Sequence, residues 1–101
     1  MKLNRNQIKY TVIKLLSNYT KNEDIKESDR FVEDLGMDSL DASELLMTIE
    51  ENFNLDIDDS KFSNLKTVGE LIDFIYKMNL EIKDFERKKM HLQLSMQYKK
   101  R

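Results

Sequence analysis

Apolar residues recur at intervals of three and four in three parts of this chain, and this spacing predicts three amphipathic helices. The first helix is expected over about residues 4–18 and the second over about residues 39–52. The third is expected to begin after Thr67, a suitable N-cap. The apolar positions of these helices are Ile8, Val12, Leu15 and Tyr19, then Ala42, Leu46, Ile49 and Phe53, then Val68, Leu71, Ile72 and Ile75.

A long connection precedes the second helix. Residues 20–38 lack sustained periodicity, and a loop of this length in a compact domain is often functional. In the next connection Phe62 and Leu65, three positions apart, allow only a short helical turn. No segment before residue 90 alternates convincingly as a strand does, so the pattern predicts an all-α fold, a small bundle of three to four helices. The side chains expected to hold the long loop on the core are Ile25, Phe31, Val32 and Leu35.

The long loop leads to a serine at the start of the second helix. Gly36 supplies a flexible backbone for the turn, and Asp38 is a good N-cap for the helix that follows. Asp41 places a second carboxylate near the positive end of the helix dipole. Ser39 should therefore lie on the first turn with its hydroxyl exposed, in a position suited to displaying an attached group.

Residues 31–41, which read Phe-Val-Glu-Asp-Leu-Gly-Met-Asp-Ser-Leu-Asp, resemble the phosphopantetheine attachment region of acyl carrier proteins. The similarity extends over residues 1–76. It continues through Glu44-Leu45, Met47, Ile49-Glu50-Glu51 and Phe53, then Ile57, Thr67-Val68 and Ile72-Asp73-Phe74-Ile75. The resemblance implies an acyl carrier domain over residues 1–76, a helical bundle of the acyl-carrier type, and a C-terminal extension over residues 77–101.

The resemblance also implies a function. A phosphopantetheinyl transferase would move 4′-phosphopantetheine from coenzyme A to the hydroxyl of Ser39, and acyl intermediates would be held as thioesters on the arm. The pathway would be fatty acid biosynthesis or a specialised lipid or polyketide pathway. The only histidine, His91, is remote in sequence, so Ser39 has no base to activate it and is an acceptor, not a catalytic nucleophile. We therefore expect a carrier and not an enzyme.

Two further sets of residues follow from the family resemblance. One is a docking face for basic patches on acyl-transferring and acyl-modifying enzymes, although a run of charges is often only a solvated surface. The other set packs the core, and some of its members would line a cavity for the acyl chain. The docking set is Asp38, Leu40, Asp41, Glu44, Met47, Glu50 and Glu51. The cavity set is Leu46, Ile49, Phe53, Phe62, Val68, Leu71, Ile72 and Ile75.

The charges divide the chain of 101 residues into two parts. Residues 1–76 carry nine Lys/Arg and sixteen Asp/Glu, whereas residues 77–101 carry eight Lys/Arg and three Asp/Glu. Apolar positions in the basic part keep a helical spacing, although residues 92–98 also alternate as a strand would. This amphipathic extension could dock on the domain or mediate self-association. In an alternative reading, Ser39 is never modified and the protein is an interaction module that works through its acidic helix and basic tail.

Composition excludes several other classes of protein. There is no cysteine, so disulfides and thiol catalysis are excluded. Asp56, Asp58 and Asp59 lack the spacing of an EF-hand, and no specific metal site is expected. We expect no nucleic-acid partner. We also expect no stable insertion in a membrane, because no apolar run approaches the length of a membrane span. Without a secretory signal pattern, the expected location is the cytoplasm.

Overall fold

The computed structural model describes residues 3–80, which fold into four helices. Helix α1 comprises Arg5–Leu16, α2 comprises Ser39–Phe53 and α3 comprises Asp59–Ser63. Residues 68–80 form α4. Within the described part of the chain there is no β-strand, and Arg30 and Thr67 form an isolated backbone bridge. The prediction of a small all-α bundle is confirmed.

The three longer helices each begin with a capping box, in which the N-cap residue and the residue three positions later exchange side chain to backbone hydrogen bonds. Each box satisfies backbone N–H groups that have no partner inside the helix. The pairs are Asn4 with Gln7, Asp38 with Asp41, and Thr67 with Glu70. The predicted N-caps Asp38 and Thr67 are thereby confirmed.

The buried stripe of α1 differs from the predicted one at its C-terminal end. Ile8, Val12 and Leu16 are fully buried, whereas Leu15 is only half-buried. The helix ends at Leu16, so Tyr19 lies in the turn that follows and does not continue the stripe. Ile8, Val12 and Leu16 are each four positions apart, so they lie on one face of α1, and this face packs against the core of the bundle.

Three of the four side chains predicted to hold the long loop on the core do so, and Met37 is a further one. Ile25 and Leu35 are buried, as predicted, and Phe31 is half-buried. The prediction for Val32 was wrong, because its side chain is 66% exposed. Residues 31–35 form a turn in which Leu35 is buried, Phe31 is half-buried and Val32 is exposed.

Backbone hydrogen bonds fix the loop against the start of α4. The amide of Phe31 donates to the carbonyl of Lys66 at 3.1 Å, and the amide of Val68 donates to the carbonyl of Asp29 at 3.0 Å. The amide of Gly69 donates to the carbonyl of Glu27 at 2.8 Å. The loop that leads to Ser39 is therefore attached to the rigid part of the fold.

An ion-pair cluster joins α1, the loop and α4. The Arg5 guanidinium bonds both carboxylate oxygens of Glu27, at 2.7 and 3.0 Å, and its Nε donates to Asp73 at 2.7 Å. The Lys9 ammonium lies 3.2 Å from Glu27. These hydrogen bonds, from Arg5 first and then Lys9, lower the pKa of Glu27 to about 2.

Several predictions fall on the C-terminal segment. Helix α4 is described up to residue 80, which supports the expectation that the helical pattern continues beyond residue 76. The choice between helix and strand after that point, and the predicted self-association, concern residues 81–101 and lie outside the described residues. The position of the domain boundary at residue 76 stays a prediction.

Candidate functional site

Ser39 is the first residue of α2, and its side chain is exposed as predicted. The carboxylate of Asp38 accepts a hydrogen bond from the amide of Asp41 at 2.8 Å, and the carboxylate of Asp41 accepts one from the amide of Asp38 at 3.2 Å. Both carboxylates are therefore committed to the backbone of the first turn. The serine hydroxyl is displayed between two residues whose conformation is fixed.

A tight turn delivers the chain to Ser39. Gly36 has a φ of +68°, in the left-handed region that glycine adopts without steric cost. The amide of Gly36 donates to the carbonyl of Val32, and the amide of Met37 donates to the carbonyl of Phe31, both at 3.0 Å. Met37 is then buried, with 4% of its side chain exposed, and anchors the backbone two residues before the serine.

A second contact closes the same turn. The carboxylate of Asp34 accepts hydrogen bonds from the backbone amide of Arg30 at 2.7 Å and from its guanidinium at 3.4 Å. The bond from the backbone amide is the main reason why the pKa of Asp34 lies below its usual range. Through these hydrogen bonds, Asp34 holds the turn that precedes Ser39.

A half-open groove of about 610 Å³ lies beside Ser39. Helices α2 and α3, the turn at residues 31–33 and the segment at residues 65–66 form its walls. Most of the exposed lining is apolar. The apolar lining residues are Phe31, Val32, Ala42, Leu45, Leu46, Met47, Phe62 and Leu65, and the polar ones are Glu33, Ser39, Ser43, Glu50, Asp59, Ser63 and Lys66.

The structure divides the eight residues predicted to surround an acyl chain into two groups. Leu46 and Phe62 line the groove. Phe53 is 9% exposed, and the other five are fully buried in the core, away from the groove lining. These five are Ile49, Val68, Leu71, Ile72 and Ile75. The groove takes much of its lining from loop and turn residues that helical periodicity does not select, such as Phe31 and Leu65.

The predicted docking residues lie on or beside α2, and most are accessible. Leu40 and Met47 are large apolar side chains with 65% and 62% exposure, and Asp38, Glu44 and Glu51 are exposed. Three members of the set also have structural contacts. Asp38 and Asp41 form the capping box, and the half-buried carboxylate of Glu50 accepts a hydrogen bond from the amide of Ile57 at 2.9 Å.

Residues 3–80 contain neither a metal site nor a helix that could span a membrane. No three acidic or histidine side chains in this range come together in a way that could hold a metal ion. No helix in the same range has both the length and the apolar character needed to cross a bilayer.

Comparison with known sequences decides the family. A family model described as "Phosphopantetheine attachment site" matches residues 11–75. The chain belongs to the acyl carrier protein family. Proteins of this family carry acyl groups on a covalently attached 4′-phosphopantetheine, so this chain is a carrier and not an enzyme.

Individual acyl carrier proteins are similar over much of their length. That of Wolinella succinogenes is 49% identical over 53 residues, which cover 52% of this chain and 70% of the relative. That of Chlamydia muridarum is 51% identical over 53 residues, 52% of this chain and 69% of the relative. The mitochondrial acyl carrier protein of Saccharomyces cerevisiae is 38% identical over 79 residues, 72% of this chain and 63% of the relative.

The described residues are compatible with such a prosthetic group. Attachment through a phosphodiester requires a hydroxyl that a second enzyme can reach, and the exposed side chain of Ser39 meets this requirement. When attached, the group supplies the terminal thiol that binds the acyl cargo, and the chain itself contains no cysteine. The apolar groove beside Ser39 offers a surface on which an acyl chain can lie.

Proposed function

We propose that Ser39 is the residue that receives 4′-phosphopantetheine and that the protein carries acyl intermediates of fatty acid biosynthesis or of a specialised lipid or polyketide pathway. The observation that carries this proposal is the position of the serine. Its side chain is exposed on the first turn of α2 and at the same time lines the apolar groove. A group attached there is accessible to enzymes and lies beside an apolar surface.

Ser39 is favoured over the other serines of the groove. Ser43 lies one helical turn further along α2, where the backbone amides are already used within the helix. The hydroxyl of Ser63 donates to the carbonyl of Ser60 at 2.9 Å and is already engaged. Ser39 alone of the three is at a helix N-terminus, where free amides and the helix dipole favour an attached anion.

We propose that the groove receives the acyl chain. Leu46, Phe62 and the loop residue Phe31 would contact it, and burial of an acyl chain contributes about 0.8 kcal/mol for each CH₂ group removed from water. The six remaining members of the predicted cavity set are packed in the core, so a longer chain would reach them only if the helices moved apart.

We propose that enzymes dock on the exposed part of α2. Leu40 and Met47 supply apolar contact next to Ser39, and Glu44 and Glu51 supply negative charge for basic patches. Complementary charge of this kind raises the rate of encounter and sets orientation more than it adds affinity. Glu44→Lys should therefore slow loading by the transferase at low salt and have less effect at high salt, with Lys14→Glu on α1 as the control.

The attachment site is tested by intact mass spectrometry after incubation with coenzyme A, Mg²⁺ and a phosphopantetheinyl transferase of broad specificity. The wild-type chain should gain the mass of one phosphopantetheine, and Ser39→Ala should gain none. Ser43→Ala is the matched control, because it removes a hydroxyl from the same groove and the same helix. It should be loaded like the wild type.

Two results would contradict the proposal. A mass gain in Ser39→Ala that disappears in Ser43→Ala would move the attachment point along the helix. No gain in any variant, while a known carrier protein is loaded in the same tube, would favour an unmodified module that acts through its surfaces.

A further inference from the structure

We propose that the groove beside Ser39 and the acidic surface around it bind the basic C-terminal segment, residues 81–101, of the same molecule. The inference does not depend on modification of Ser39, because it concerns the surface of the unmodified chain.

The acidic surface is formed by the carboxylates of residues 31–60, and Arg30 next to this stretch pairs with Glu33 and Asp34. Between Phe31 and Ser60 the sequence contains ten Asp/Glu and no Lys or Arg. Glu33, Glu50 and Asp59 from this stretch line the groove, and Lys66 is the only basic residue in the lining. A basic segment would therefore be attracted to this part of the domain, whereas a neutral segment would gain nothing from its charge.

Exposed apolar side chains lie on the same surface. Of the four large apolar residues most exposed in the described part of the chain, Val32, Leu40 and Met47 belong to this region. The fourth, Tyr10, is on α1, and the ammonium of Lys14 lies 5.8 Å from its ring centre. An apolar groove flanked by carboxylates favours an occupant that has both apolar and basic residues.

Residues 81–101 have this composition. They contain seven Lys/Arg and three Asp/Glu, and their apolar residues are interspersed with the charges. The apolar residues are Ile82, Phe85, Met90, Leu92, Leu94, Met96 and Tyr98. The basic clusters are Arg87-Lys88-Lys89 and Lys99-Lys100-Arg101.

The segment is long enough to reach the groove from the end of α4. Residues 81–101 would span about 70 Å if fully extended and about 30 Å even as a continuous helix. A domain of this size has a radius of gyration of about 12 Å, so its opposite faces are about 30 Å apart. Because the segment is covalently attached, its effective concentration at the groove is in the millimolar range, which favours weak contacts within the molecule over those between molecules.

The basic surface of α1 is a poor alternative for the same segment. Residues 1–30 carry seven Lys/Arg against four Asp/Glu. Of these four acids, Glu27 is already bonded to Arg5 and Lys9, and Asp24 is paired with Lys26. The net positive charge of residues 1–30 would therefore make α1 less attractive to a basic segment than α2.

The proposal is tested on the full chain by paramagnetic relaxation in NMR. The protein has no cysteine, so Ser95→Cys provides one position for a nitroxide label within the segment. The amide signals of Ser43, Met47 and Leu65 at the groove should lose more than half of their intensity, and those of Tyr10 and Lys14 on α1 should be much less affected. At about 1 M NaCl, where the Debye length is about 3 Å, the loss at the groove should diminish.

The control variants separate charge attraction from other causes. Reversing Arg87, Lys88 and Lys89 to glutamate should restore the groove signals, and Lys14→Glu should not. The proposal is overturned if the broadening is strongest away from the groove or if no amide of the described domain is broadened apart from those next to residue 80. A mixing experiment distinguishes contacts within one molecule from contacts between molecules. Spin-labelled protein without ¹⁵N is mixed with ¹⁵N-labelled protein that has no spin label. Equal broadening of the groove signals in this mixture would also overturn the proposal, because the contact is then between molecules.

Discussion

Asp38 and Asp41 each accept a hydrogen bond from the backbone amide of the other, at 2.8 and 3.2 Å. The pair encloses Ser39 and fixes the first turn of α2 from both sides. The same two carboxylates contribute negative charge to the surface that we propose for enzyme docking. Their capping role means that substitutions at these positions change stability as well as docking, and the two effects must be measured separately.

Asp38→Ala should destabilise the domain by about 1 kcal/mol, because the amide of Asp41 loses its acceptor at the start of the helix. Equilibrium unfolding in urea measures the difference. Asp38→Asn is the matched control, because asparagine is an equally good N-cap. It should stay within a few tenths of a kcal/mol of the wild type, and an equal loss in both variants would show that charge and not capping is responsible.

The ion pair between Glu27 and Arg5 should make stability depend on pH. The pKa of Glu27 is lowered from its usual 4.5 to about 2 in the folded protein, mainly by the hydrogen bond from Arg5. The folded state therefore binds this proton less readily than the unfolded state. The stabilisation is complete above about pH 5 and is lost as the pH falls towards 2.

Glu27→Gln should remove part of this acid dependence. At pH 7 we expect a loss of about 1 kcal/mol, since the pair is bidentate but a third of each side chain remains exposed. Urea unfolding of wild type and variant between pH 2 and 7 measures the difference. The two curves should converge at the acid end. A constant gap across the whole range would contradict the role assigned to the Glu27 carboxylate.

Gly36→Ala should destabilise the turn before Ser39 by about 1 kcal/mol, because a residue with a Cβ is strained at a φ of +68°. An added Cβ would meet no atom within 4 Å, so the cost comes from the backbone conformation and not from a clash. Gly36→Asn should cost less, because asparagine tolerates the left-handed region better. Thermal unfolding of both variants measures the order, and an equal loss would exclude backbone strain as the cause.

Ile49 and Met47 lie two positions apart on α2 and should respond differently to truncation. Ile49 is fully buried, so Ile49→Ala should cost about 2–5 kcal/mol. Met47 is 62% exposed, so Met47→Ala should change stability by less than about 0.5 kcal/mol. Its effect should appear in the rate of loading by the transferase instead. Unfolding and loading measured on the same two samples separate core packing from docking.

The positions of the helices, and of Ser39 at the start of α2, could be predicted from the sequence, whereas the shape of the groove could not. Helix positions follow from a repeating pattern and from caps such as Thr67, which are local signals. The groove depends on how the turn at residues 31–33, α2 and α3 pack together. No local sequence pattern predicts this packing. Val32 illustrates the difficulty. An apolar residue in a loop suggests a core contact, and only the folded structure shows that this one is exposed.

The assignment of Leu15 and Leu16 shows a similar limit. Both fit a helical stripe, and only the contact of α1 with the rest of the bundle decides that Leu16 is the fully buried one. Periodicity predicts that a face exists, but tertiary packing selects its centre. For the same reason, the sequence does not separate residues that line an open groove from those packed inside, such as Val68 and Leu71, whose place in an acyl cavity stays a prediction.

Attachment of the prosthetic group to Ser39 is best tested by locating the added mass within the loaded wild-type protein. Trypsin should release residues 31–61 as one peptide, because the sequence has no Lys or Arg between Arg30 and Lys61. This peptide contains both Ser39 and Ser43. Fragmentation by electron transfer should place the added mass on Ser39. Fragments that place it on Ser43, or on any other residue, would show that Ser39 is not the attachment site.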